Sequence, residues 1–173
     1  ETHLKFPEMP PEDWRYVLPP APLPDTPKTR QMTAGFKDSA RRMDAGHGRV
    51  LQALARNGLA GDTLVICTTD HGIAFPGMKC NLTDHGMGIM LIVRGPGGFD
   101  GGRVCDALVS HLDLFPTLCE LVDGLERPAW LQGRSLMPLV RGEREEINEE
   151  VFAEVTYHAA YEPMRCVRSE GYK

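Results

Sequence analysis

The stretch Thr63-Leu64-Val65-Ile66-Cys67-Thr68-Thr69-Asp70-His71-Gly72 passes directly from β-branched and apolar residues into an acid, an imidazole and a glycine. Residues 63–69 have the composition of a buried strand. In α/β sheets ligands bind in the crevice outside the carboxyl ends of the strands, so a strand that delivers Asp70, His71 and Gly72 there is informatively placed. A carboxylate beside an imidazole supplies two ligands to a divalent cation. Gly72 lets the backbone turn sharply, and Lys79 can return a positive charge to the same pocket. Taken alone the tripeptide is weak, because an Asp near a turn more often serves as a cap or turn former.

The flanking sequence extends this into an α/β unit. Upstream, Met32, Phe36, Ala40, Met43, His47, Val50, Leu51 and Leu54 recur at helical spacing, which predicts a long amphipathic helix ending near Asn57-Gly58. Before it, residues 6–28 are rich in proline and read as an extended connection. Downstream, residues 89–93 form a second buried-strand candidate, closed by Arg94-Gly95-Pro96-Gly97-Gly98. Residues 109–122 predict a helix with Leu112, Phe115, Leu118, Cys119 and Val122 on one face and Pro116 restricting its first turn. The acidic run 143–150 reads as a solvated connection or short helix, and residues 151–155 and 165–167 as strands of a second subdomain. The expected division is therefore 1–142 and 143–173, with both ends of the chain looking cut.

Composition narrows the function classes. A net charge of −5 with interspersed signs and no basic stripe gives nucleic-acid binding little electrostatic support. No membrane segment is expected, since the longest apolar runs fall far short of the roughly 20 residues a spanning helix needs. The reading is a soluble fragment, with any signal peptide upstream of Glu1. Five widely spaced cysteines without a C-x-x-C pair argue against a disulfide framework or structural zinc site and read as buried thiols.

Four motifs in order carry a resemblance. They are the quoted strand with Asp70-His71-Gly72, then Lys79, then Ser110-His111-Leu112-Asp113-Leu114-Phe115-Pro116-Thr117-Leu118, then Leu131-Gln132-Gly133-Arg134-Ser135-Leu136. Together with residues 42–51 they closely resemble the sulfatase family of the alkaline phosphatase superfamily, over nearly the whole chain. Pro24-Asp25-Thr26-Pro27, Gly72-Ile73-Ala74-Phe75-Pro76, Val151-Phe152 to Tyr157-His158, and Pro163-Met164-Arg165 are most similar to its heparan N-sulfatase, or sulfamidase, branch.

The resemblance implies an alkaline-phosphatase-like α/β sandwich, here without its N-terminal half and with the start of a small C-terminal β-containing subdomain. It implies a metal, usually Ca²⁺, held by Asp70, His71 and two acidic residues earlier in the chain. Many relatives carry Asn at the place of His71, and a nitrogen ligand favours softer ions than calcium. Lys79 matches a basic position that binds sulfate oxygens, and His3 matches a histidine facing the sulfate that can donate a hydrogen bond or act as general acid. Lys79 as a solvated loop lysine is the alternative. His158 lies in the stretch similar to the substrate-side loop of sulfamidase. His85 could border the pocket, whereas His47 and His111 read as structural.

The family's nucleophile is a formylglycine made from Cys or Ser within C/S-x-P/A-x-R, a motif that none of the five cysteines provides. The resemblance thus implies a sulfuric ester or sulfamate hydrolase acting on a sulfated carbohydrate, with this fragment alone inactive. Two other readings stand beside it. One is a phosphatase or phosphonate hydrolase of the same superfamily; the other is a non-catalytic module that binds glycans or a partner protein.

Overall fold

A computed structural model describes residues 12–158 and 160–173. The chain divides into two compact units, Glu1–Thr63 and Leu64–Lys173.

The first unit is dominated by helix α1, Pro27–Arg56. It begins five residues before Met32, the first residue of the expected apolar stripe. The reason is local: Thr26 Oγ1 accepts from the Thr29 backbone N–H at 3.2 Å while Thr29 Oγ1 accepts from the Thr26 N–H at 3.0 Å. This capping box, with Pro27 pre-set for the first helical position, turns the end of the proline-rich segment into a helix start. The stop at Asn57 and Gly58, whose φ is +70°, is where the sequence puts it.

The buried face of α1 differs from the apolar stripe. Thr33, Ala34, Gly35, Asp38 and Ser39 are buried, whereas His47 and Val50 are exposed. The buried polar groups have local partners: Thr33 Oγ1 donates to the Thr29 carbonyl at 2.8 Å, and Asp38 pairs with Arg42 at 2.8 Å. The preceding segment is tied to α1 by charge. Glu12 receives Lys37 at 2.6 Å and Arg41 at 3.0 Å, and Arg30 joins Asp25 while donating to the Arg15 carbonyl. The Lys37 hydrogen bond, followed by Arg41, holds the Glu12 carboxyl below its ordinary range.

In the second unit, β1 (Val65–Thr68) pairs antiparallel with β2 (Leu91–Arg94), Val65 opposite Arg94 and Thr68 opposite Leu91, and the short helix α2 (Asp84–Met87) lies in the connection between them. The expected strands therefore form, but they are only half-buried, and Ile92 is 56% exposed. Each has a single ladder neighbour in a two-stranded sheet, so alternate side chains face outward. A second two-stranded sheet is the hairpin of β3 (Glu150–Tyr157) and β4 (Tyr161–Ser169). The acidic run before it forms turns rather than a helix, with Ile147 buried within it.

Between the sheets, the segment read as one helix splits into a 3-10 turn, His111–Asp113, and α3, Leu114–Leu121. Ser110 is the N-cap, which delays the start relative to residue 109. Leu112, Phe115 and Val122 on the expected apolar face are exposed, and the buried positions are Pro116, Thr117 and Cys119.

What holds this region is a buried carboxylate. Asp113, 2% exposed, accepts from the Ser110 N–H at 2.8 Å, the Arg134 N–H at 2.7 Å and Asn148 Nδ2 at 2.9 Å. Thr117 Oγ1 donates to the Asp113 carbonyl and accepts from the Leu136 N–H at 2.8 Å. Gly133 lies so close that a Cβ there would sit 1.9 Å from the Leu112 carbonyl oxygen. The motifs at 110–118 and 131–136 are two halves of one clasp, whose polar groups satisfy one another out of water. Helix α4, Met137–Val140, follows the clasp and contributes Met137 to the core.

None of the five cysteines takes part in a disulfide. The expectation of buried thiols holds for Cys119; Cys67 and Cys166 are half-buried, and Cys80 and Cys105 are exposed.

Candidate active site: a metal and anion half-site

Strand β1 ends at Thr68 and carries Asp70 and His71 just beyond its carboxyl end. Thr69 continues the link to the neighbouring segment, its N–H bonding the Met90 carbonyl at 3.4 Å and its Oγ1 accepting from the Met90 N–H at 3.2 Å. The Thr68 hydroxyl donates to the Met90 carbonyl at 2.8 Å and lies 2.8 Å from His111 Nε2. With its proton engaged by the carbonyl, the hydroxyl accepts from Nε2–H, which fixes the His111 tautomer. Sequence reasoning gave His111 a structural role, and here it braces the strand end that precedes Asp70.

The chain turns away at Gly72, whose N–H bonds the Gly86 carbonyl at 2.9 Å. A Cβ on Gly72 would lie 1.8 Å from the His85 carbonyl oxygen, so the base of the 72–86 loop is pinned backbone to backbone. Gly72→Ala is expected to cost about 1–3 kcal/mol of stability, as overpacking does. Urea unfolding of the whole protein measures this; an unchanged midpoint would show that the loop base is not pinned.

Within this frame His71 Nδ1 lies 2.6 Å from the Gly72 carbonyl oxygen, and its Nε2 lies 3.6 Å from Asp70 Oδ1. A carbonyl only accepts, so Nδ1 carries a hydrogen, and Nε2 is the ring nitrogen near the Asp70 carboxylate. The imidazole nitrogen and the carboxylate oxygen are both electron-pair donors that a cation could share. The pair suits a divalent cation in kind: carboxylate oxygen and imidazole nitrogen, with the other ring nitrogen held by a backbone acceptor as metal-binding histidines commonly are. Asp70 is 68% and His71 28% exposed on the side chain, so the pair is open to further ligands. Among the described residues no group of three or more His, Cys, Asp or Glu that could hold a metal ion converges, and Asp70 and His71 stand there as a pair.

Lys79 is half-buried in the same loop, and its N–H bonds the Ile73 carbonyl at 3.3 Å, one residue past Gly72. Phe75 and Met78, both buried, hold the intervening turn. Cys80, next to Lys79, has φ +63°, the left-handed region that side chains other than glycine rarely occupy. His158 stands exposed on the β3–β4 turn, with its N–H bonded to the Ala160 carbonyl at 3.4 Å. It belongs to a different element from the Asp70–Lys79 loop. His3 lies outside the described residues.

A feature that sequence reasoning touched only through His85 is the carboxylate of Asp84. It meets Lys173 Nζ at 3.0 Å and Arg168 Nε at 3.4 Å. The Lys173 hydrogen bond, then the fields of Lys173 and Arg168, hold this carboxyl below the ordinary range. No local sequence pattern signals it, because its partners lie more than 80 residues away.

Comparison with known proteins shows what the chain as a whole is similar to. The family model described as "Sulfatase" matches residues 5–125, and the model "N-sulphoglucosamine sulphohydrolase, C-terminal" matches residues 78–173. N-sulphoglucosamine sulphohydrolase of Homo sapiens is 36% identical over 91% of this chain and 33% of its own length. Steryl-sulfatase of Mus musculus is 36% identical over 70% of this chain and 22% of its own. An ulvan-active sulfatase of Formosa agariphila is 27% identical over 99% of this chain and 28% of its own. The chain thus spans about a third or less of the length of these relatives.

Proposed function

Given that the chain belongs to the sulfatase family, we propose that the whole protein hydrolyses a sulfuric ester or sulfamate of a sulfated carbohydrate, and that this chain supplies the metal- and sulfate-binding half of its site. The observation that carries the reading is the convergence of Asp70 Oδ1 and His71 Nε2 at the end of β1. Residues 1–142 are the C-terminal part of the catalytic domain, an alkaline-phosphatase-like sandwich in the whole protein, and residues 143–173 begin a C-terminal subdomain. Similarity to an N-sulphoglucosamine sulphohydrolase over most of the chain favours a sulfamate or sulfate on an amino sugar.

In this reading Asp70 and His71 hold a divalent cation, Ca²⁺ by family habit. When bound, such an ion polarises the sulfuryl oxygens and stabilises charge as the S–O or S–N bond breaks. The chain's own residues set the stage for it. The Gly72 carbonyl fixes the His71 ring, the Thr68–His111 contact steadies the strand end, and Lys79 brings a positive charge to the sulfate from the loop pinned at Gly72 and Gly86. By the family resemblance His3, which lies outside the described residues, is assigned the part of hydrogen-bond donor or general acid, and His158 that of a sugar contact. A formylglycine nucleophile and two more acidic ligands are contributed by other parts of the whole protein.

Lys79 offers a direct test on the whole protein. Lys79→Met is expected to lower kcat about 10²-fold on a sulfated sugar, with Lys79→Arg retaining most of the activity, because the role is charge stabilisation. Steady-state kinetics measure both. Equal loss in the two variants, or none in either, would remove Lys79 from the anion site. A preference for phosphate over sulfate monoesters in the wild type would instead support a phosphatase of the same superfamily.

A further inference from the structure

The Asn81–His85 portion of the 72–86 loop and strand β4 line an open depression of about 490 Å³. Its ionic lining is Asp84, His85, Arg165 and Lys173. Arg168 approaches Asp84 from the same strand, and Arg165 is paired with Glu154, its cross-strand neighbour in β3, at 2.8 Å. Three fixed cations therefore face two carboxylates. The Arg165–Glu154 pair is exposed on both sides, 61% and 67%, and such pairs are held weakly and exchanged easily. Asp84 is the carboxylate shared by Lys173 and Arg168, and the Arg168 guanidinium also donates to the backbone carbonyls of Ser169, Glu170 and Tyr172. The depression thus has positive charge left over and guanidinium donors that a competing anion can recruit.

Its position gives that surplus a use. His85, in the lining, is the residue whose carbonyl presses against Gly72, directly after the Asp70–His71 pair, and Lys79 lies two residues before Asn81. The depression's Asn81–His85 lining and the Asp70–His71 pair are therefore joined through one short, pinned loop.

We propose that this depression is a second anion subsite, which takes a negatively charged substituent, sulfate or carboxylate, on a sugar neighbouring the one whose sulfate is removed. The inference rests on the sulfatase reading above and extends it from a single sulfated group to a chain of them. Arg165 is the main donor. Asp84 acts as an internal competitor that occupies Lys173 and Arg168 when no substrate is present.

The arrangement predicts substitutions of opposite sign. On the whole protein, Arg165→Gln is expected to raise KM about tenfold for disaccharides with a second anionic group, leaving kcat unchanged, whereas Asp84→Asn lowers KM by releasing its two cations. The probes are a disulfated disaccharide, a monosulfated disaccharide containing a uronate, and 4-nitrophenyl sulfate, whose single anion should be indifferent to both variants. A response confined to the first or second probe identifies the recognised substituent as sulfate or carboxylate. Equal effects on all three probes, no effect on any, or shifts of the same sign in both variants would overturn the subsite, since general damage to the fold does not improve affinity. Should the wild type turn over none of the probes, the sulfatase reading fails. The subsite is then judged by calorimetric binding of the same disaccharides: opposite shifts in the two variants uphold it, and unchanged binding removes it.

Discussion

Asp70→Ala in the whole protein is expected to lower kcat/KM on a sulfated substrate by about 10³-fold or more, a loss of about 4 kcal/mol of transition-state stabilisation. The size follows from what the side chain does in the proposed site. It supplies anionic oxygen to a cation that stabilises charge at sulfur, and His71, held in place by the Gly72 carbonyl, cannot move to replace it. Affinity for divalent metal should fall together with activity. Competition against a fluorescent chelator, run on wild type and variant with Ca²⁺ and with Mn²⁺, measures that half of the effect. If activity survives Asp70→Ala, or if activity falls while metal affinity is untouched, Asp70 is not a ligand. The second outcome would leave it a structural or proton-transfer group. The choice of metals is informative because the imidazole at 71 makes the site softer than an all-oxygen one.

The second large effect is on stability. Asp113→Ala is expected to cost about 3–5 kcal/mol, read as a fall in the midpoint of urea unfolding. Removing this carboxylate leaves the N–H groups of Ser110 and Arg134 and the amide of Asn148 without their acceptor in a region closed to water. That is a large part of the margin by which an ordinary domain is stable. Asp113→Asn should recover only part of the loss, because Ser110 N–H and Asn148 Nδ2 both point at Oδ2, and an amide nitrogen there would put donor against donor. A midpoint within 1 kcal/mol of wild type for the alanine variant would show that these donors find other partners, and the clasp would not be what joins residues 110–118 to 131–148.

The contrast between these two aspartates shows what the sequence reveals. Asp70 stands next to His71 and Gly72 after a β-branched run, so strand, turn and paired ligands are all local patterns. The strands and the long helix were legible for the same reason. Asp113 sits in a motif that is easy to recognise, yet its work is done through residues 21 and 35 positions away, and no periodicity encodes such partners. Helix α1 began early because the Thr26–Thr29 capping box outweighed the extended reading of the prolines before it. The buried faces of α1 and α3 depart from the apolar stripes because hydrophobic spacing ignores polar residues whose hydroxyls bond nearby backbone groups, such as Thr33 and Thr117. The pairing of β1 with β2 as an antiparallel couple was equally out of reach, since apolar strands read alike in either direction. Asp84 and its cations carry no local signal because they come together only in three dimensions.

The backbone contact at the foot of the 72–86 loop has a consequence for how such a site can diversify. Because Gly72 and Gly86 are joined directly, side-chain changes at exposed outer positions of the loop such as Asp84 and His85 need not disturb Asp70, His71 or Lys79. Mutation at those positions can then retune which anionic sugars are accepted while the ion-holding end keeps its shape, much as an interchangeable bit fits a fixed chuck.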